Sequence, residues 1–153
     1  MGMIGSYDRL RPVEVEMWRT LRATDQRAAS DYVDQLDGAW RMCDLDKLWE
    51  AIEYLVDAAG GPDLSPLMGD EDFDDTDVLF NPESVCDIAA RLDAVSTDRF
   101  MAVFDPELLN ARNVYPANYT PDDANDLRDL YEEVVRFFAR AAADGDWVKI
   151  GQS

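Results

Sequence analysis

The chain has 153 residues, with 14 basic against 33 acidic side chains, a formal net charge of −19 and no histidine. Single cores hold about 100–200 residues, and a chain of this length buries roughly 70% of the surface its unfolded form exposes, so it needs no disulfide or metal staple. The charge argues against nucleic acid and anionic membranes as partners, since both require Lys and Arg clusters, and the missing histidine removes Ser–His–Asp triads, Cys–His dyads and His-ligated metals.

The opening MGMIGSYDRL has neither the basic start nor the long apolar run of a secretory signal. No window approaches the roughly 20 apolar residues of a membrane span, and a cytoplasmic setting is the expectation. Gly2 and Ser6 fit the Met-Gly-x-x-x-Ser pattern of myristoylation, but one acyl chain needs a polybasic partner to hold a membrane. Residues 3–7 read instead as a short opening strand. Pro12 then opens a helix, because a first-turn N–H would be unpaired anyway. Its core side is expected to carry Val13, Met17, Trp18 and Leu21, with Glu14, Glu16 and Arg19 turned to water. Thr24 is placed to cap a second helix bearing Ala28, Tyr32, Leu36 and Trp40, widened by Ala29 and Val33. Asp46 is expected to cap a third, with Leu48, Trp49, Ile52, Leu55 and Val56 apolar. Gly60-Gly61-Pro62 stops it, since glycine takes the left-handed cap and proline cannot continue a helix.

Residues 60–77 then collapse into Pro, Gly, Ser and Asp and read as one long acidic loop. Such loops are uncommon beyond about 15 residues and are usually functional or mobile. The second half repeats one device: Asn81-Pro82, Asp105-Pro106 and Thr120-Pro121 each place a capping oxygen before a proline that presets the helical φ. Asp123 completes a capping box with Thr120. Helices follow with Val85, Ile88, Ala89 and Leu92, then after Ser96, then with Leu108 and Leu109. The longest runs through Leu127, Leu130, Tyr131, Val134, Val135, Phe138 and Ala141 at helical spacing and ends at Gly145. Trp147-Val148-Lys149-Ile150 has strand composition, and pairing it with the first strand is the economical arrangement. The expectation is a helix-rich, single-domain α+β fold over residues 1–153, with a small sheet that includes the N- and C-terminal strands.

With the elements placed, the sequence resembles the YfbM-like family of small bacterial domains of unknown function. The resemblance rests on MGMIG and its tyrosine-bearing strand, Arg9-Leu10 before the proline-initiated helix, and Leu45-Asp46-Lys47-Leu48-Trp49. Further on come Phe104-Asp105-Pro106, Val114-Tyr115-Pro116 and the closing Ala143-Asp144-Gly145-Asp146 with its final strand. It implies an α+β fold and no established catalytic residues. Where relatives often show Trp-His-Gly-Ile-His, this chain has Trp49-Glu50-Ala51-Ile52-Glu53, so no role of those histidines transfers. Where many relatives carry a Gly-rich stretch, it has GDEDFDDTDVLF from Gly69.

Two cysteines without histidine cannot complete a structural zinc site, so Cys43, near an expected helix end, and Cys86, inside a helical pattern, read as small buried hydrophobes. The acidic run Asp70, Glu71, Asp72, Asp74, Asp75 and Asp77 has the oxygen density calcium requires, but read as an EF-hand from Asp72 it puts Asp77 where the sharp turn needs glycine. Those six residues are the candidate partner surface. Glu50 and Glu53 share a helical face and read as an exposed acidic stripe, and the four tryptophans with Tyr115-Pro116 read as core and chain turn. There is no phosphate loop, no Gly-x-Ser-x-Gly turn and no histidine base, and no cofactor is expected. The leading expectation is a non-catalytic acidic interaction module for a basic protein partner, by analogy with inhibitors that steer onto cationic targets. The alternative is a small carboxylate-based or divalent-cation-dependent enzyme or ligand-binding domain.

Overall fold

Short alternating strands make the centre of the molecule. The computed structural model describes residues 3–74 and 76–152; Gly2, of the acylation pattern, and Asp75, of the acidic run, lie outside the described residues. Strand β1 (Gly5–Leu10) pairs antiparallel with β5 (Trp147–Gln152), from Gly5 opposite Gln152 to Leu10 opposite Trp147. The two terminal strands meet as expected, though β1 begins two residues later than its composition suggests and runs on to Leu10. On the far side of β1 lies β2 (Met42–Asp46), and beyond β5 come β4 (Val78–Phe80) and β3 (Glu71–Asp72). The five strands form an antiparallel sheet of order β2-β1-β5-β4-β3.

The period-2 alternation of side chains gives each face its own core. One core joins Leu10 and Leu79 to Val15, Trp18 and Ala29 of helices α1 (Pro12–Arg22) and α2 (Gln26–Asp34). The larger one joins Tyr7, Cys43 and Val148 to the helices of the other face. Those are α3 (Trp49–Ala58), α4 (Pro82–Asp93), α5 (Thr97–Ala102), α6 (Pro106–Ala111) and α7 (Ala124–Asp144). The result is a helix-rich α+β domain. No helix among the described residues is long and apolar enough to cross a membrane.

The proline device works three times as its chemistry dictates. Asn81, Asp105 and Thr120 each accept a first-turn N–H, from Ser84, Leu108 and Asp122, with proline next in the chain. Gly145 closes α7 with φ of 71°, a left-handed cap that glycine adopts without cost. Gly5 is needed for a different reason: a Cβ there would run into Trp49 Cβ and Cγ, so β1 must be bare where α3 starts against it.

Several local expectations are corrected. On α1 the buried face is Glu14, Val15 and Trp18, whereas Val13 and Met17 stay exposed, because Arg41 reaches Glu14 and neutralises it (Nη2 to Oε2, 2.6 Å). Asp25 rather than Thr24 caps α2, which ends before Leu36 and Trp40. Asp46 does not cap α3; it ends β2 in a left-handed conformation, φ 47°, and its N–H donates to Asp44 Oδ1 at 2.8 Å. Cys43 is buried on β2, not near a helix end, while Cys86 is exposed on α4 rather than buried; neither is in a disulfide. Residues 60–77 are not one loop, since they hold a 3-10 turn, Pro66–Met68, and β3.

Candidate functional site

Helix α3 brings acidic side chains into two adjoining clefts of about 300 and 320 Å³ that share Glu50. Glu50, Glu53 and Asp57 stand one turn apart along its outer face, and the chain that returns after Gly60-Gly61 adds Asp63 and Ser65. Asp63 is held by an Asx turn, its Oδ1 accepting the Ser65 N–H at 2.8 Å. None of these four carboxylates makes an ion pair among the described residues.

The far end of the groove is aromatic. Trp49 stacks on Tyr115 with centroids 5.9 Å apart, and Trp49 Nε1 donates to the Met3 carbonyl. Tyr115 precedes a cis peptide bond to Pro116, and its N–H donates to Glu50 Oε2 at 3.0 Å. Tyr119 donates its hydroxyl to the Tyr115 carbonyl, and Asn110 brackets Tyr119 with two backbone hydrogen bonds. A rigid aromatic wall therefore stands beside a row of carboxylates.

The row repels itself. Burial pushes the Glu53 carboxyl above its ordinary value, and Asp63, Glu50 and Asp57 push it further in the same direction. Folding thus takes up protons at Glu53, and stability is lost as pH rises from the ordinary Glu range through the raised folded value. Glu53→Gln is accordingly expected to raise the melting temperature at neutral pH. That gain should vanish once the pH falls below about 4, where both forms are uncharged. Thermal melts of both proteins across this range give the check; an unchanged difference with pH would mean Glu53 is not electrostatically strained.

The acidic run lies elsewhere, on the β3–β4 hairpin, and part of it is already occupied. Glu71 pairs with Arg19 and Asp77 with Lys149. Asp70 Oδ2 accepts the Asn81 N–H, and Asp74 Oδ1 accepts those of Thr76 and Asp77. Burial raises the Asp74 carboxyl, but these backbone bonds and the Thr76 hydroxyl outweigh it and hold it low. Phe73, in the middle of the run, is buried and stacks on Trp18 at 4.8 Å, pinning the hairpin to the smaller core. Asp72 is exposed without an ion pair among the described residues.

Sequence reasoning found Glu50 and Glu53 on one face but read them as an exposed stripe; both are half-buried. It missed Asp57, Asp63 and the role of Tyr115, which only the tertiary fold collects. Among the described residues no three His, Cys, Asp or Glu side chains are grouped to hold a metal ion. What the groove can do is bind positive charge, with carboxylates for the cation and aromatic faces for an adjoining stem.

A family model described as a domain of unknown function, DUF1877, matches residues 1–150. Among solved structures the chain is similar to a protein of unknown function, YfbM, from Escherichia coli. They share 17% identity and a TM-score of 0.69, over 97% of this chain and 99% of that one. That likeness shows the fold. No curated protein matches the chain.

Proposed function

The chain belongs to the DUF1877 family of domains of unknown function, and on that premise we propose a non-catalytic module that binds a basic protein segment in the acidic groove along α3. The observation that carries this reading is the row of four carboxylates, Glu50, Glu53, Asp57 and Asp63, gathered in one cleft without a cation among the described residues. Holding like charges together is unfavourable, and a bound Lys or Arg would relieve it. The Trp49–Tyr115 wall supplies the flat apolar surface that interface anchors use. The acidic hairpin contributes at longer range: Asp70, Asp72 and the field of a −19 chain steer a cationic partner toward the surface. The encounter is proposed to take place in the cytoplasm.

Titration with an oligoarginine peptide tests the reading against simple charge attraction. Glu53→Gln/Asp57→Asn/Asp63→Asn removes as much charge as Asp72→Asn/Asp74→Asn/Asp75→Asn. The groove variant should bind about tenfold more weakly with a shallower salt dependence, while the hairpin variant should mainly associate more slowly. Equal losses in both variants would reduce the groove to one acidic patch among others.

A further inference from the structure

A separate cleft, of about 760 Å³, carries two arginines and two aspartates, Arg9, Arg11, Asp144 and Asp146, with Val13 and Trp40 beside them. We propose that it binds a small aromatic carboxylate, with the carboxylate on Arg9 and Arg11 and the ring against Trp40.

Arg9 is the built part of the site. Its side chain is only 6% exposed, and Asp146, 4% exposed, holds it through Nε at 2.8 Å and Nη2 at 2.7 Å. Its Nη1 has no hydrogen-bond partner among the described residues and is not fully buried, so it keeps some contact with solvent; Arg9 lines this cleft and also a neighbouring one of about 290 Å³. Arg11 is exposed, and its guanidinium makes no ion pair among the described residues. It stands at the N-terminus of α1, where Glu14 of the first turn already meets the dipole, its Oε1 accepting the Arg11 N–H at 2.7 Å. Trp40, 40% exposed, lies within 5.0 Å of the guanidinium carbons of Arg9, Arg11 and Arg41. Arg41 is already committed to Glu14, which leaves Arg9 Nη1 and Arg11 for a ligand.

Asp144 supplies a further argument for the ligand class. It is 64% exposed yet hydrogen-bonds Arg9 Nη2, and it sits in the last turn of α7, where the dipole disfavours a carboxylate. An exposed acid in that place acts as an internal carboxylate on the edge of the guanidinium, next to the position an external one would take. Removing its charge should therefore favour the ligand, whereas a purely structural Asp144 would show no such gain.

Benzoate is the probe, followed by the indole N–H signal of Trp40 in proton–nitrogen NMR, assigned by its loss in Trp40→Phe. Benzoate is expected to shift that signal saturably, and benzamide, which has the same ring without the charge, is not. Arg11→Gln should weaken binding about tenfold and Asp144→Asn should tighten it about threefold. Both substituted residues are solvent-exposed and leave the buried Arg9–Asp146 pair in place, so the variants remain folded. An unmoved indole signal, benzamide binding as well as benzoate, Arg11→Gln binding like the native chain, or Asp144→Asn binding no tighter would each overturn the proposal.

Discussion

Phe138→Ala is expected to destabilise the protein by about 3–5 kcal/mol, a melting-temperature drop of about 6–20 °C for a domain of this size. Phe138 is 0% exposed in the C-terminal half of α7. Its ring packs edge-on against Tyr7 of β1 at 5.3 Å and against Phe137 at 5.5 Å. Truncation removes apolar burial and leaves a cavity between the longest helix and the central strand, which neither can close without moving the other. Denaturant unfolding gives the value, and a loss under about 1 kcal/mol, typical of surface positions, would put this face of α7 elsewhere.

Arg9→Met carries a comparable cost for an electrostatic reason. The substitution keeps much of the stem's packing but strands Asp146 in a buried site, and breaking one partner of a buried pair costs about 3–5 kcal/mol. Burial already raises the Asp146 carboxyl, while Arg9 opposes that rise through its hydrogen bond and charge. Without Arg9 the carboxyl rises further, so the penalty should be largest at neutral pH and shrink as Asp146 takes up a proton in acid. Arg9→Met/Asp146→Leu should recover most of the stability, because an apolar pair no longer needs hydration. A double variant as unstable as the single one would contradict this account of the β1–α7 junction.

Local chemistry was readable where a few consecutive residues decide the outcome. Asn81-Pro82, Asp105-Pro106 and Thr120-Pro121 start their elements at the expected residues, and the apolar stripe of α7 ends at Gly145. Strand β2 carried a readable signal that a competing one masked: Cys43 and Leu45 alternate with Asp44 and Asp46, but Asp46 also looks like a helix cap. The inner face of α1 was not legible at all. A glutamate reads as solvent-facing until Arg41, far along the chain, closes on it. The groove divides in the same way. Glu50 and Glu53 fall on one face by helical spacing, whereas Asp63 and Tyr115 join them only because the chain after Gly60-Gly61 and the turn at Pro116 both come back against α3. Arg9, Arg11, Trp40 and Asp144 have no sequence spacing that predicts their meeting.

Proton–nitrogen NMR mapping of a bound oligoarginine peptide on the unaltered protein tests the central claim most directly. The account predicts shifts concentrated on the Trp49 indole N–H and on the backbone amides of Glu50, Glu53, Asp57, Ser65 and Tyr115, fading as salt is raised. Shifts centred on residues 70–77, or spread evenly over the acidic surface, would contradict it.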